Sequence, residues 1–143
     1  MKLPHALAWP AFCLSTALYA DVVVDDAWVR GLPPGAANAS AYMTLSNTGS
    51  EAVVLTGASS PIAGSVLLHA TMNHDGMLHM SHIESLTVPA AGQVKLESGG
   101  THLMLMQLRE TPVPGNDVEL TLEFADGSTQ TLHLPVRSVL DEE

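Results

Sequence analysis

Residues 118–136 read VELTLEFADGSTQTLHLPV, and this stretch decides the fold class. Apolar and polar residues alternate from Val118 to Phe124, and the alternation returns from Thr131 to Val136. Asp126-Gly127 lies between the two segments and is a strong tight-turn pair. Strict alternation places apolar side chains on one face of a strand and polar side chains on the other. The stretch therefore predicts an antiparallel hairpin with one buried face.

The rest of the chain repeats the same kind of pattern. From Asp21 onwards, short segments rich in Val, Leu and Thr are separated by turn residues at intervals of about 8 to 12 positions, which is typical of an all-β sandwich or barrel. The further strands that we predict are Val22–Arg30, Ala39–Ser46, Ala52–Ala58, Ser65–Met72, Met77–Ile83, Leu86–Val88, Val94–Glu97 and His102–Leu108. No segment has a helical period. With 143 residues, the chain is long enough for one domain with a substantial core.

The first twenty residues differ from the rest in composition. Met1-Lys2 supplies a positive start, Leu3–Leu18 is mostly apolar, and no acidic residue occurs before Asp21. This is the pattern of a secretory signal peptide. The apolar stretch is too short, and too interrupted by proline, for a good membrane anchor. We predict a cleaved signal peptide at residues 1–20, a mature domain at residues 21–143, a periplasmic location and no stable membrane insertion after cleavage.

Cysteine and charge exclude several classes of function. The single cysteine, Cys13, lies within the predicted signal peptide and follows Phe12, whereas lipidation requires a small residue there. The mature chain then has no disulfide, thiolate nucleophile or thiolate metal ligand, which argues against the runner-up function, a blue-copper electron carrier. A net charge of −10 repels nucleic acids and anionic headgroups. No nucleophile elbow, acid–base pair or phosphate-binding loop is recognisable, so we do not expect an enzyme.

Histidine and methionine are concentrated in one part of the chain. Fourteen residues contain His69, Met72, His74, Met77, His79, Met80 and His82, and His102, Met104 and Met106 follow. In a strand, His102 and Met104 share a face. Uncharged, soft thioethers are poor ligands for zinc, calcium or magnesium but suit Cu(I), and imidazole suits it too. The cluster therefore indicates a Cu(I) site.

Some of these residues have simpler interpretations. Met43 and Met106 fit the role of methionine as a filler of irregular core space. His74, His79 and His82 fit solvated polar positions, although as extra donors they leave the copper stoichiometry open. Met72 or Met77 are further thioethers that could replace Met80 in some state of loading.

The spacing of four donors resembles a known family. His69, ten residues, Met80, twenty-one residues, His102, one residue and Met104 reproduce the H-x10-M-x21-H-x-M signature of the PCu(A)C-type periplasmic copper chaperones. The resemblance extends over Asp21 to Val136 and includes Asp26-Ala27-Trp28-Val29-Arg30, Pro33-Pro34-Gly35, Ala41-Tyr42-Met43-Thr44-Leu45 and Gly100-Thr101 before the ligand strand.

This resemblance implies a cupredoxin-like or immunoglobulin-like antiparallel β-sandwich, with one exposed Cu(I) held by His69, Met80, His102 and Met104. It implies delivery of copper to the binuclear Cu(A) centre of a respiratory oxidase, or to a Sco-type thioredoxin-like partner. We expect a monomer. Two other functions remain open: a periplasmic copper buffer without a dedicated acceptor, and a metal-free immunoglobulin-like interaction domain.

Overall fold

Residues 21–138 form ten β-strands in the computed structural model, which describes this part of the chain. The strands are β1 (Val22–Arg30), β2 (Ala39–Asn47), β3 (Val53–Ser59), β4 (Ala63–His74), β5 (Met77–His82), β6 (Leu86–Val88), β7 (Gln93–Leu96), β8 (His102–Leu108), β9 (Asp117–Phe124) and β10 (Thr129–Arg137). Across this range no residue is helical, so no helix there has the length and apolar composition needed to cross a membrane. The predicted signal peptide, residues 1–20, lies outside the described residues.

The strands join into one sheet that closes on itself. Its order is β5-β4-β8-β2-β1-β10-β9-β3-β6, and β7 pairs separately with β2. A pairing of Ala58 with Val66 connects β3 back to β4, so seven strands make a closed, barrel-like ring. The pairing of β1 with β10 is parallel, and the other pairings are antiparallel. The predicted single all-β domain is confirmed, whereas the hydrogen bonds do not divide it into the two separate sheets of a sandwich.

The core fills the enclosed side of this ring. In β9 the burial alternates as the sequence predicts, with Val118, Leu120 and Leu122 buried. Most of the large, fully buried side chains among the described residues are leucines, including Leu45 of β2 and Leu103 of β8. Core methionine is represented by Met43, which is 1% exposed, so its predicted filler role is confirmed. The opposite face of each strand points outwards and is called the outer face below.

A β-bulge in β1 changes which residues face outwards. Asp25 pairs with Thr44 and Trp28 with Tyr42, so β1 has one extra residue between these pairs. Asp26 lies in this bulge and has a positive φ of 49°, a conformation that aspartate tolerates better than most residues. The bulge turns Val29 into the core and Trp28 to the outer face beside Tyr42.

Strands β4 and β5 extend beyond the ring as a two-stranded ribbon. β8 pairs with β4 only as far as His69, so Ala70–His74 pair with β5 alone. The connecting residues Asp75 and Gly76 both have positive φ, 54° and 78°, as a two-residue type I′ turn requires. This short turn lets β4 continue to His74, two residues beyond the predicted end at Met72. We refer to residues 70–81 as the ribbon.

Candidate metal centre

Three histidines lie side by side on the outer face. His69 of β4 is directly opposite His102 of β8 on one side and His82 of β5 on the other. Its ring centroid is 6.0 Å from that of His102 and 6.2 Å from that of His82, and both pairs meet edge to face. The register therefore brings together two of the four predicted ligands, His69 and His102, and adds His82 next to them. We call these three residues the histidine row.

His102 is held in a fixed orientation. Its Nδ1 lies 3.0 Å from the backbone carbonyl oxygen of Gly100. Because a carbonyl oxygen only accepts hydrogen bonds, Nδ1 carries the proton, and Nε2 presents a lone pair. A metal-binding histidine usually donates its other ring N–H to a carbonyl or carboxylate oxygen in this way. His102 is also only 5% exposed, so its ring has little freedom to turn.

His69 is kept neutral and has an unsatisfied nitrogen. Burial, together with the neighbouring His102 and His82, lowers the pKa of His69 below its ordinary value. Its Nδ1 is buried and has no hydrogen-bond partner among the described residues. Since buried polar atoms are nearly always paired, this nitrogen is an exception that a ligand would resolve. A neutral imidazole with a free lone pair is the form that binds a metal ion.

Met104 lies beside the two histidines. It follows His102 by two residues on the same face of β8 and is opposite Leu67 of β4, one diagonal step from His69. The hydroxyl of Ser40 donates to its sulfur over 3.9 Å, which holds the half-buried thioether in place. The prediction that imidazole and thioether share a face at this strand end is met by the structure. Met106 continues the same face, half-buried, one step farther along.

Met80 is on the same outer face and one diagonal step from His69, but it lies farther from His102 than Met104 does. It is opposite Thr71, whereas Met104 is opposite Leu67, so the two methionines lie on opposite sides of the histidine row. Along β4 these positions are four residues apart, roughly 13 Å, and β5 is two strand spacings, roughly 10 Å, from β8. Met80 is 60% exposed. In this arrangement, Met80 reaches an ion at His102 only if the ribbon bends towards β8.

The structure adds His82 to the residues singled out from the sequence spacing. The signal for it was present, because a two-residue turn at Asp75-Gly76 fixes the register of the whole hairpin. If residues are paired in order outwards from that turn, beginning with His74 and Met77, His82 is paired with His69, as observed. His82 is exposed, so it is accessible from solvent as well as from the site. It is the donor nearest to His69 on the ribbon side.

Aromatic and cationic side chains pack beside the His102 end of the histidine row. The ring of Tyr42 lies 6.3 Å from that of His102 and 4.8 Å from that of Trp28, measured between centroids. The guanidinium carbon of Arg30 lies 5.5 Å from the Tyr42 ring, and that of Arg137 lies 5.7 Å from the Trp28 ring. Tyr42 is 5% exposed, so this stack is packed and fixes one wall of the site.

Ligand chemistry restricts which metals the site suits. Within residues 21–138 no group of three or more His, Cys, Asp or Glu side chains is close enough to hold a metal ion. The donors beside His69 and His102 on this outer face include the thioether of Met104. Thioether and neutral imidazole together favour a soft ion, and Cu(I) is the biological ion with that preference.

Comparison with known proteins places the chain in a family. The family model described as "Putative lipoprotein LpqE-like" matches residues 22–136. The protein named "Putative lipoprotein Lxx21020" from Leifsonia xyli subsp. xyli (strain CTCB07) is 35% identical over 134 residues, which cover 92% of this chain and 80% of the relative.

Two solved structures show the same fold. The solution structure of CuI-DR1885 from Deinococcus radiodurans is 34% identical, with a TM-score of 0.69, over 90% of this chain and 87% of that one. The copper-bound PCuAC domain from PmoF2 is 22% identical, with a TM-score of 0.71, over 84% of this chain and 95% of that domain. This chain belongs to the LpqE-like family and, with it, to the PCuAC-type copper chaperone family.

Proposed function

We propose that this protein is a copper chaperone that binds one Cu(I) at the outer face through His69, His102, Met104 and Met80. The observation that carries the proposal is the pair His69 and His102, directly opposite each other, with one nitrogen oriented by Gly100 and another left without a partner. The similarity to CuI-DR1885 supports Cu(I) as the ion.

The three donors on β4 and β8 hold the ion first, and Met80 joins them last. His69, His102 and Met104 lie on strands of the closed ring, whereas Met80 belongs to the exposed ribbon. Bending of the ribbon towards β8 would close the site, and bending away would open it to a partner. Closure would also move His82, which is the competing donor on the same strand.

Delivery would proceed by ligand exchange rather than catalysis. An incoming cysteine thiolate of the acceptor displaces the Met80 thioether, and the remaining ligands follow, so copper is never free in solution. The exchange runs downhill because thiolates bind Cu(I) more tightly than thioethers. We propose the Cu(A) subunit of a respiratory oxidase, or a Sco-type thioredoxin-like protein, as the acceptor. A copper buffer without an acceptor would share the site but not the transfer.

Titration of residues 21–143 with Cu(I), against a colorimetric Cu(I) chelator under reducing conditions, tests the site. We expect His69→Ala, His102→Ala and Met104→Leu each to weaken binding by more than about 100-fold, since loss of a group that only supports a ligand already costs about 10–100-fold. Met80→Leu should weaken it less, and Met106→Leu is the matched control on the same face of β8. Equal affinity of His102→Ala and Met106→Leu would refute the ligand assignment.

A second measurement distinguishes a chaperone from a buffer. The copper-loaded protein is mixed with a purified Cu(A)-domain or Sco-type acceptor, and the copper is followed after the two proteins are separated. Transfer faster than release to the chelator alone indicates direct exchange within a complex. Transfer at the rate of release indicates a buffer.

We also propose export with cleavage after residue 20 as the route to the periplasm. The family and the relative are both described as lipoproteins, but Phe12 before Cys13 does not fit a lipidation signal. The intact mass of the protein recovered from the producing cell decides between the two. A mass that begins at Asp21 supports the proposal, and a diacylated mass that begins at Cys13 refutes it.

A further inference from the structure

The ribbon has two exposed faces, and the proposed copper site uses only one of them. Because residues 70–81 extend beyond β8, no third strand within residues 21–138 pairs with this part of β4 or with β5. Side chains alternate along both strands, so Met80 and Thr71 share the face that carries the histidine row. The opposite face is called the far face, and no function above involves it.

The far face contains a second set of two histidines and two methionines. Met72 is directly opposite His79, and the next pair towards the turn on the same face is His74 with Met77. Each pair thus places one imidazole across from one thioether. In the first pair the methionine is on β4 and the histidine on β5, and in the second pair the histidine is on β4 and the methionine on β5. All four are exposed, and Met72 and Met77 are 52% and 64% accessible.

The spacing of these four positions suits one small ion. Directly opposite residues in an antiparallel pair have Cβ atoms about 5 Å apart. Successive pairs on one face are about 7 Å apart along the strands. The four Cβ atoms therefore mark the corners of a rectangle, and side chains of this length reach its centre. The turn at Asp75-Gly76 fixes the register, so the four donors cannot slip relative to each other.

Charge and exposure also favour a cation site over a solvated surface. Large apolar side chains such as methionine are usually buried, yet Met72 and Met77 are both exposed on this one face of the hairpin. The Asp75 carboxylate lies 3.8 Å from the His74 ring, so it adds negative charge beside the donors. Among residues 21–138 no strand lies beyond β5 and β8 does not reach Met72, so no neighbouring strand covers either thioether.

We propose that Met72, His74, Met77 and His79 form a second Cu(I) site on the far face of the ribbon. This site goes beyond the proposed function, since it uses none of the ligands of the first site and can exist without it. Its four donors are all solvent-accessible, so it binds and releases copper more readily than the site beside the barrel. It is a point of entry for copper next to the strand that carries Met80.

The test isolates the far face from the first site. A protein with His69→Ala and His102→Ala is titrated with Cu(I) under reducing conditions, and the ε-methyl signals of its methionines are followed by NMR. We expect about one equivalent to bind and to shift the Met72 and Met77 signals. Adding Met72→Leu and Met77→Leu to this protein should abolish the binding. His74→Gln and His79→Gln should do the same, with His133→Gln as the matched control at an exposed strand position.

Two results would overturn the proposal. One is the absence of any shift at Met72 and Met77 up to three equivalents of Cu(I). The other is binding that occurs only with dimerisation in sedimentation, since the four donors would then be shared between two chains. If the first site does not exist, by contrast, the ε-methyl signal of Met104 in the wild-type protein would not shift on addition of Cu(I). That result is independent of the signals of Met72 and Met77.

Discussion

His102 depends on two neighbours that are not ligands. The Gly100 carbonyl sets its tautomer, and Tyr42 packs against its ring, 6.3 Å between centroids. Tyr42 is held in turn by Trp28 and by the guanidinium of Arg30. The residues of the Asp26–Arg30 segment that resemble the family thus act on the site through packing, at a distance from the ion.

We predict that Tyr42→Leu weakens both copper binding and the fold. Loss of the ring that packs beside His102 should lower Cu(I) affinity by about 10-fold, the size of effect expected when a group that supports a ligand is removed. Loss of packed aromatic area should lower the free energy of unfolding by about 1–3 kcal/mol. Chelator competition and urea unfolding measure the two effects. Leu132→Ala, in a half-buried position on β10, is the control that should lower stability without changing affinity. Equal affinity of wild type and Tyr42→Leu would contradict this role.

His69 should make the stability of the apoprotein depend on pH. Its pKa in the folded state is lowered by burial, and further by His102 and His82. Below pH about 6.5 the unfolded chain therefore binds protons at this residue that the folded state does not bind. The free energy of unfolding should fall as the pH drops from about 6.5 towards the lowered pKa. Urea unfolding of wild type and His69→Gln at several pH values measures it. The variant should show the flatter profile, and a steeper one would contradict the assignment.

In the ribbon, the conformation of the turn residues sets the position of the side chains that face the copper site. Gly76 has a φ of 78° and Gly127, in the β9–β10 turn, has a φ of 86°, and at neither position would an added Cβ meet another atom within 4 Å. Alanine at either position is therefore strained by the backbone alone, by about 1–2 kcal/mol. The two glycines form a matched pair, one in the ribbon and one in the core hairpin.

We predict different consequences for these two substitutions. Gly76→Ala should loosen the ribbon and lower Cu(I) affinity through Met80, while urea unfolding of the barrel changes little. Gly127→Ala should lower the free energy of unfolding by about 1–2 kcal/mol and leave affinity unchanged. The two variants are compared in the same chelator and urea assays. A loss of affinity with Gly127→Ala as large as that with Gly76→Ala would mean that the ribbon has no special role.

Much of the element structure could be predicted because local patterns determine it. The alternation from Val118 to Phe124 and the turn at Asp126-Gly127 gave β9 and its return strand, and β8 begins at His102 as expected. The position of Trp28 on the outer face could not be predicted, since a bulge at Asp26 shifts the phase of β1 and leaves no alternation signal. Closure of the sheet also depends on a long-range pair, Ala58 with Val66, that no local pattern contains.

The site, like the strands, could be predicted where it depends on local geometry and not where it depends on long-range pairing. A strand puts His102 and Met104 on one face, so this half followed from local geometry. The position of His69 opposite His102 depends on the pairing of β4 with β8, and three other strands lie between these two in the sequence. The spacing of the motif could not show that Met80 and Met104 lie on opposite sides of the histidine row. That position results from the length of the hairpin.

At the scale of the whole molecule, scaffold and ligand carrier are separate parts. The buried hydrophobic core contains Leu68 and, next along the chain, Val88, and no residue between them. The ribbon thus contributes nothing to the buried core among the described residues. The barrel holds His69, His102 and Met104 on strands of the closed ring, while the exposed ribbon holds Met80 and the far-face donors.

This division predicts that the ribbon can be removed without loss of the fold. Ala70 and Ser81 already pair, so replacing residues 71–80 with Asn-Gly closes β4 and β5 by a two-residue turn in the same register. Because no core residue is lost, the free energy of unfolding should stay within about 1–1.5 kcal/mol of wild type, the scale of a change in loop length. His69, His82, His102 and Met104 remain, so weakened binding of about one Cu(I) should persist. Urea unfolding and chelator competition test both parts. Loss of cooperative unfolding would show that the ribbon belongs to the scaffold, and wild-type affinity would show that Met80 is not a ligand.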